Sequence, residues 1–195
     1  MLMISKNMES VACKAHSKHR RRWLVSGLAS LGCLLLVVGT VAPAQATYYS
    51  GGMPSATFQI KPYSYNDQWQ PYMDAALASW NSMSVVSISK DSGASASVTA
   101  ASYSADWYGL YTPYGVSPCC RWFGIQLNAR TLSADAGSDF HTWVRSSFAH
   151  ELGHSLSLGD NPPTSYNNSL MRHDRNRSTV YQRTTYDTNE VNSYY

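Results

Sequence analysis

The apolar and polar residues that follow position 46 alternate between the period of strands and the period of helices. SATFQIKPY (55–63) alternates apolar and polar side chains, the pattern of a half-buried strand. In QPYMDAALASWNSM (70–83), apolar residues recur at i, i+4 and i+7, which predicts an amphipathic helix. Further strand-like runs are VVSIS (85–89), the end of DSGASASVTA (91–100), WYGLY (107–111) and WFGIQLN (122–128).

Two more helices are predicted in the second half of the chain. One runs from about Phe140 to Leu156, with apolar residues spaced along its length. The other is short and lies near the C-terminus (187–195), where Thr184 and Asp187 form a plausible capping box at its start. This order of elements predicts the α/β fold class, as one small domain with a twisted mixed sheet.

The N-terminal segment has the three parts of a secretory signal peptide. A basic stretch, KAHSKHRRR (14–22), precedes an apolar run of residues 23–41, and AQA (44–46) fits a cleavage site. We therefore expect residues 1–46 to be a signal peptide, and residues 47–195 to be the mature domain of a secreted protein. The alternative is an uncleaved membrane anchor, because a 19-residue apolar run is long enough to span a bilayer. If the segment is cleaved, we expect the protein to contact a membrane only during export.

Removal of that segment changes the charge and the cysteine content. Residues 47–195 hold 9 Lys and Arg against 11 Asp and Glu, without a basic patch, so we expect no nucleic-acid partner. The domain keeps only the adjacent pair Cys119 and Cys120, which could form a strained disulfide or remain two thiols. Nothing in the pattern points to an oligomer, and we expect a monomer.

The stretch AHELGHSLSLGD (149–160) carries the chemistry. His150 and His154 are four residues apart in a predicted helix, so both imidazoles can reach one metal ion. Glu151 would stand at the edge of the site as the general base that takes a proton from a metal-bound water. A catalytic zinc ion needs three protein ligands and one open position, so a third ligand must come from elsewhere.

HELGHSLSLGD followed by SLM (169–171) resembles the metzincin metalloproteases, whose motif is HExxHxxGxxH or HExxHxxGxxD followed by a turn that contains methionine. AHELGHSL is similar to the matrixin branch, and an aspartate ligand is similar to the snapalysin branch. The resemblance implies that Asp160 is the third zinc ligand and that Met171 is the methionine beneath the metal. Ser157 departs from the pattern, because the family has glycine there. Either the serine adopts the left-handed conformation or Gly159 makes the turn.

Three alternatives for the ligand set remain open. Asp160 could instead cap the loop that precedes Pro162 and Pro163. His173, two residues after Met171, could bind zinc or stabilise an oxyanion, or it could be a solvated loop histidine. Glu190 lies 36 residues beyond His154, where a distant glutamate ligand would stand in a thermolysin-like arrangement.

The resemblance implies that residues 47–195 are the catalytic domain of a zinc endopeptidase, which hydrolyses peptide bonds in proteins or peptides. An extended substrate would pair with an edge strand, either 107–114 or 121–128, and residues 172–186 would form one wall of the pocket for the residue after the scissile bond. Arginines in that wall could favour acidic or polar peptides. The alternative is an exported surface or binding protein with a structural zinc site, closed by a fourth ligand such as His173.

Overall fold

The computed structural model describes residues 48–61, 68–162 and 168–195. The expected signal peptide lies outside these ranges. Within them the chain is α/β, with strands and helices in mixed order. The strands are β1 (Thr57–Ile60), β2 (Ser87–Lys90), β3 (Ser97–Ala101), β4 (Gly109–Tyr114) and β5 (Trp122–Asn128). The helices are α1 (Gln70–Asn81), α2 (Ala129–Asp135), α3 (Phe140–Ser155) and α4 (Thr185–Tyr194), with one 3₁₀ turn at Gly137–Asp139.

The expected mixed sheet is divided into two smaller sheets. Strands β1 and β2 pair in parallel, and β5 pairs in parallel with β3 and antiparallel with β4. A single parallel bridge between Ile60 and Ala96 links the two sheets, with the Lys61 N–H 2.8 Å from the Ala96 carbonyl. Strand β5 is therefore the inner strand of its sheet, and β4 is an edge strand. Of the two substrate-edge candidates, residues 107–114 contain the edge strand and 121–128 do not.

Helices α1 and α3 pack against each other and supply much of the core. The largest buried side chains come from these helices and from β5, among them Met73, Trp80, Phe123, Phe148 and Leu152. The indole N–H of Trp80 donates to the Ala149 carbonyl at 2.9 Å, next to the first histidine of the motif. Asn81 ends α1 by pairing with both backbone groups of Ile88 at 2.8 Å, which ties the helix to β2.

Helix α2 was not predicted from the sequence. Asn128 is the last residue of β5 and also the N-cap of α2, where its side chain accepts from the Arg130 N–H at 3.2 Å. The chain therefore passes from strand to helix without a loop. The helix has seven residues, too few for a helical period to be evident.

The predicted capping box at α4 is confirmed. Thr184 is the N-cap, its backbone N–H donates to the Asp187 carboxylate at 2.8 Å, and its hydroxyl accepts from the Asp187 N–H at 3.4 Å. The helix begins at Thr185, two residues earlier than the sequence suggested.

The two adjacent cysteines are exposed thiols in the β4–β5 connection. Their sulfur atoms lie 2.8 Å apart and are not bonded to each other. In the described part of the chain, no helix combines the length and the apolar character needed to cross a bilayer.

Candidate metal centre

Helix α3 brings the two histidines of the motif to one face. His150 and His154 are one turn apart, and their rings meet edge to face with centroids 4.8 Å apart. Both are largely inside the fold, with side chains 6% and 12% exposed. The helical period therefore places the two imidazoles together, as the sequence predicts.

Backbone carbonyl groups orient both rings. The Nδ1 atom of His150 lies 3.0 Å from the Leu170 carbonyl oxygen, and that of His154 lies 2.9 Å from the Leu158 carbonyl oxygen. A carbonyl oxygen only accepts hydrogen bonds, so each Nδ1 carries the proton and each Nε2 keeps its lone pair. Burial lowers the pKa of His150 to about 3, and it also lowers the pKa of His154. Both rings are therefore neutral at neutral pH, the form that binds metals.

Asp160 faces these two lone pairs. Its Oδ1 atom lies 3.1 Å from Nε2 of His150 and 3.7 Å from Nε2 of His154. Partial burial opposes ionisation of this carboxyl, whereas an N–H donor or a positive charge on the facing histidines would lower its pKa. With both rings neutral and their Nε2 atoms acting as acceptors, a bound cation would be the group that keeps Asp160 ionised.

The three atoms together form a cluster of acceptors that suits a cation. Asp160 Oδ1 is buried and, among the described residues, has no hydrogen-bond donor. Three electron-pair acceptors thus point at one another, which is unfavourable unless a positive ion lies between them. Their ligand atoms lie within 4.8 Å of one another. In a tetrahedral zinc site, ligand atoms are separated by roughly 3.3 Å. This value lies between the 3.1 Å and 3.7 Å that separate Asp160 Oδ1 from the Nε2 atoms of His150 and His154. The chemistry of these three residues therefore fits zinc.

Ser157 makes the turn that carries the chain from α3 to Asp160. It has a φ of 63°, in the left-handed region, whereas Gly159 has no positive φ. The alternative in which Gly159 makes the turn is therefore wrong. The Ser157 backbone carbonyl accepts from the Tyr49 N–H at 2.8 Å, and its hydroxyl lies 3.1 Å from that of Tyr195. These contacts offset the strain of a serine at this position.

The turn at residues 169–171 is fixed from α4. The Asp187 carboxylate accepts from the Leu170 N–H at 3.0 Å and from the Ser169 hydroxyl at 2.5 Å. The carbonyl of Leu170 orients His150. Asp187, which caps α4, therefore supports His150 through the backbone of Leu170. Met171 is 1% exposed and packs against Gly153, where an added Cβ would lie 2.4 Å from its sulfur. Its role beneath a metal remains a prediction.

The two other candidate ligands stand apart from the cluster. Within the described residues, the group able to hold a metal comprises only His150, His154 and Asp160. His173 Nε2 lies 3.0 Å from Asp160 Oδ2, the oxygen that faces away from the pair of rings, and its side chain is 69% exposed. Glu190 lies on α4 and borders a separate small cavity beside Leu158 and Asp187.

Glu151 lies next to the cluster, beneath the edge strand. It is 5% exposed, and a Cβ added at Gly109 of β4 would come within 2.5 Å of its Oε1 atom. Burial raises the pKa of Glu151 to about 8, although the Arg175 guanidinium acts in the opposite direction. A carboxyl group whose pKa lies near neutrality can both accept and return a proton, as general acid–base catalysis requires.

An open pocket of about 340 Å³ connects this cluster with the edge strand. Leu110 and Tyr111 of β4 border it, together with Tyr49, whose ring centroid lies 5.5 Å from that of His154. Sequence reasoning missed Tyr49, because it belongs to no motif and reaches the site only through backbone pairing with the turn after α3.

Comparisons with known proteins do not assign the chain to a family. No protein-family model matches it. No curated protein matches it either. Among solved structures, it is similar to a chain of one described as "GM1 bound form of the ECX AB5 holotoxin", at 12% identity and a TM-score of 0.48, covering 76% of this chain and 84% of that chain. A likeness at this level assigns neither a fold family nor a function.

Proposed function

We propose that this protein is a secreted zinc endopeptidase with a metzincin-like fold, which cleaves proteins or peptides as a monomer. The observation that carries the proposal is the buried Asp160 Oδ1, which has no donor among the described residues and faces the Nε2 lone pairs of His150 and His154. The resemblance of residues 149–171 to the metzincin motif supports the same assignment. His150, His154 and Asp160 would hold the metal.

Glu151 provides the proton transfer in this proposal. A zinc ion at the cluster would supply a Lewis acid for the scissile carbonyl and would acidify the attacking water. Glu151 takes the proton from that water and returns it to the leaving amine. Its burial beside Gly109 keeps the carboxyl within the pocket and out of bulk solvent.

Strand β4 provides the binding surface for an extended peptide. One side of β4 pairs with β5 from Gly109 to Tyr114, and in the described parts of the chain no strand pairs with its other side. Leu110 is 37% exposed at this edge and borders the metal-site pocket. A peptide added as a further strand would therefore pass over Glu151 and the histidines.

A structural metal site is the second candidate, because His173 already contacts Asp160 Oδ2 at 3.0 Å. If His173 supplied a fourth ligand, the site would be closed and would not catalyse hydrolysis. The buried Glu151 favours the enzyme, since a closed structural site has no use for an acid–base group beside it.

The test compares wild type with two carboxylate variants. The protein is expressed from its full-length sequence, and mass spectrometry of the purified product records whether cleavage after Ala46 has occurred. Zinc content is measured by elemental analysis, and activity by hydrolysis of casein. Wild type and Glu151→Ala are expected to bind one zinc ion, and only wild type to cleave. Glu190→Ala, which removes a carboxylate outside the cluster, is expected to keep both properties.

Zinc binding without hydrolysis in wild type would overturn the enzyme and favour the closed site. In that case His173→Ala is expected to lose zinc, whereas in the open catalytic site it is expected to retain it.

A further inference from the structure

A second pocket, of about 260 Å³, adjoins the metal-site pocket and shares Glu151, His150 and His173 with it. Its other walls include Tyr108, Ser147, Arg175 and Arg177. This pocket, called here the arginine pocket, contains more hydrogen-bond donors and positive charges than the protein itself satisfies.

Arg177 is held in the arginine pocket by aromatic rings. Its guanidinium carbon lies 4.4 Å from the ring centroid of Tyr108 and 5.6 Å from that of Trp143. This stacking fixes the plane of the guanidinium group and leaves its N–H edge for an acceptor. Its Nε atom is buried without a hydrogen-bond partner among the described residues, and no described carboxylate forms an ion pair with it.

Ser147 adds a second unpaired group. It lies on α3, is 1% exposed, and its hydroxyl has no hydrogen-bond partner within the described chain. A buried hydroxyl without a partner is unfavourable unless a ligand supplies an acceptor.

Arg175 adds a buried positive charge. It is 8% exposed, and its side chain donates to three neutral oxygens: the Ser146 hydroxyl at 3.0 Å, the Ser146 carbonyl at 3.2 Å and the Arg172 carbonyl at 2.9 Å. Burial lowers the pKa of Arg175 to about 9, so it remains charged at neutral pH. Each of its three nitrogens donates to an oxygen, but no described carboxylate is in direct contact with its charge.

The acidic residues of the pocket do not neutralise these two arginines. Asp106 borders the pocket, but its side chain is 98% exposed and pairs with Arg130 at 3.0 Å. Glu151 also borders the pocket, but within the described residues it forms no ion pair with Arg175 or Arg177. The arginine pocket therefore holds two guanidinium groups that no described carboxylate contacts.

We propose that the arginine pocket binds the carboxylate side chain of the substrate residue that follows the scissile bond, so that the enzyme cleaves before glutamate or aspartate. Arg177 and Ser147 donate to the carboxylate, and Arg175 contributes its charge. This inference rests on the proposed function: Glu151, which returns the proton to the leaving amine, borders the arginine pocket, and that amine belongs to the residue after the scissile bond.

The first test measures selectivity in two peptides that differ only in having Glu or Gln after the scissile bond. Cut sites in casein, mapped by mass spectrometry, supply the flanking sequence. Wild type is expected to favour the Glu peptide in kcat/KM by at least about tenfold, the usual size of a charge-assisted contact. Arg177→Gln is expected to bring the ratio of the two rates close to one, and Arg177→Lys to restore part of it.

Arg172→Gln is the matched control, because its guanidinium pairs with the exposed Asp174 at 2.6 Å outside this pocket. It is expected to keep the wild-type ratio. Ser147→Ala is expected to lower the ratio severalfold. The ratio is informative because a residue that only supports the fold would change both rates equally. A ratio near one in wild type would overturn the inference and leave the protease intact.

The second test measures binding without cleavage. Fluorescence anisotropy compares the affinity of the zinc-loaded Glu151→Gln protein for the labelled Glu and Gln peptides. Tighter binding of the Glu peptide, lost when Arg177→Gln is added, supports the arginine pocket even if wild type cleaves no peptide, an outcome that would overturn only the proposed hydrolysis. Equal or undetectable binding of the two peptides overturns the arginine pocket.

Discussion

The metal cluster and the arginine pocket border the same glutamate but have opposite deficits. In the cluster, the Nε2 atoms of His150 and His154 and the Oδ1 atom of Asp160 are all acceptors, and they face one another. In the arginine pocket, Ser147 and Arg177 have N–H or O–H groups without an acceptor in the described chain. The chemistry of one surface suits a cation, and that of the other suits an anion.

This difference separates structural polar groups from groups that await a ligand. Arg175 and Arg177 carry the same charge, but Arg175 has three hydrogen bonds to oxygen and Arg177 has none within the described residues. The hydrogen bonds of Arg175 therefore hold its buried side chain in the fold, whereas Arg177 would gain its hydrogen bonds from an acceptor on the ligand. The sign of the missing partner indicates the charge of the expected ligand.

The largest effect is expected on zinc affinity, when a substitution removes the carboxylate of the cluster. Asp160→Asn replaces a carboxylate oxygen with a neutral amide oxygen, a much weaker zinc ligand. Loss of a direct ligand should exceed the roughly 10–100-fold cost of losing a supporting group, so we expect zinc affinity to fall at least about 100-fold. Competition with a chromogenic chelator measures this. Asp174→Asn, which alters an exposed carboxylate in the following loop, should leave the affinity unchanged; an equal loss in both would exclude Asp160 as a ligand.

The next effect tests how the cluster is supported. Asp187→Asn weakens the acceptor of the Leu170 and Thr184 N–H groups, and therefore both the turn at 169–171 and the cap of α4. We expect a loss of about 2 kcal/mol in the free energy of unfolding, measured in urea, and zinc affinity roughly tenfold lower. Asn189→Ala, exposed on the same helix, should cost less than about 0.5 kcal/mol. Unchanged zinc affinity in Asp187→Asn would show that Asp187 does not support the metal cluster through Leu170.

Glu151 borders both regions, and its burial should make the stability of the metal-free protein depend on pH. In the folded protein the pKa of Glu151 is about 8, above its ordinary value of 4.5. The protonated carboxyl therefore contributes its full stabilisation below pH 4.5, and this contribution is lost as the pH rises through 8. Glu151→Gln stays neutral, so we expect it to be more stable than wild type at pH 9 by roughly 1–2 kcal/mol, or about 3–6 °C in Tm, but not at pH 4. Thermal unfolding after treatment with a chelator measures both. The same difference at the two pH values would contradict this assignment.

The smallest effect concerns the turn that delivers Asp160. Ser157→Ala keeps the strain of a positive φ and loses the hydroxyl contact with Tyr195. Ser157→Gly loses the same contact but relieves the strain. We therefore expect the glycine variant to be more stable than the alanine variant by about 1 kcal/mol in urea unfolding. Equal stabilities would mean that the strain at this residue is negligible.

The sequence predicted the elements whose pattern is long or locally capped. The periods of α1 and α3 and the capping box of Thr184 and Asp187 involve residues within a few positions of one another. Helix α2 was missed because it is short and begins inside the end of a strand. The order of strands was also out of reach, because the residues that pair β3 with β5 are about 27 positions apart and share no local pattern.

In the candidate site, the motif accounted for residues on one helix turn and for Asp160. It did not reveal the residues that come from distant parts of the chain. The burial of Arg175 depends on Ser146, 29 positions away, and Tyr49 contacts His154 from residues 48–53, at the start of the described chain. Arg172, Arg175 and Arg177 look alike in the sequence, and only their packing separates Arg177 from Arg172, which pairs with its neighbour Asp174.

The anchoring of residues 48–53 beside α4 has a topological consequence. The rings of Tyr48 and Tyr194 are 5.0 Å apart, and the Tyr195 hydroxyl donates to the Met53 carbonyl at 2.7 Å. A short linker from residue 195 to residue 48 could therefore close this part of the chain into a circle, and the exposed turn at 91–93 offers a place to open it. Opening the chain at 91–93 breaks none of the hydrogen bonds that orient His150 and His154, so we expect the metal cluster to form in the circularly permuted chain.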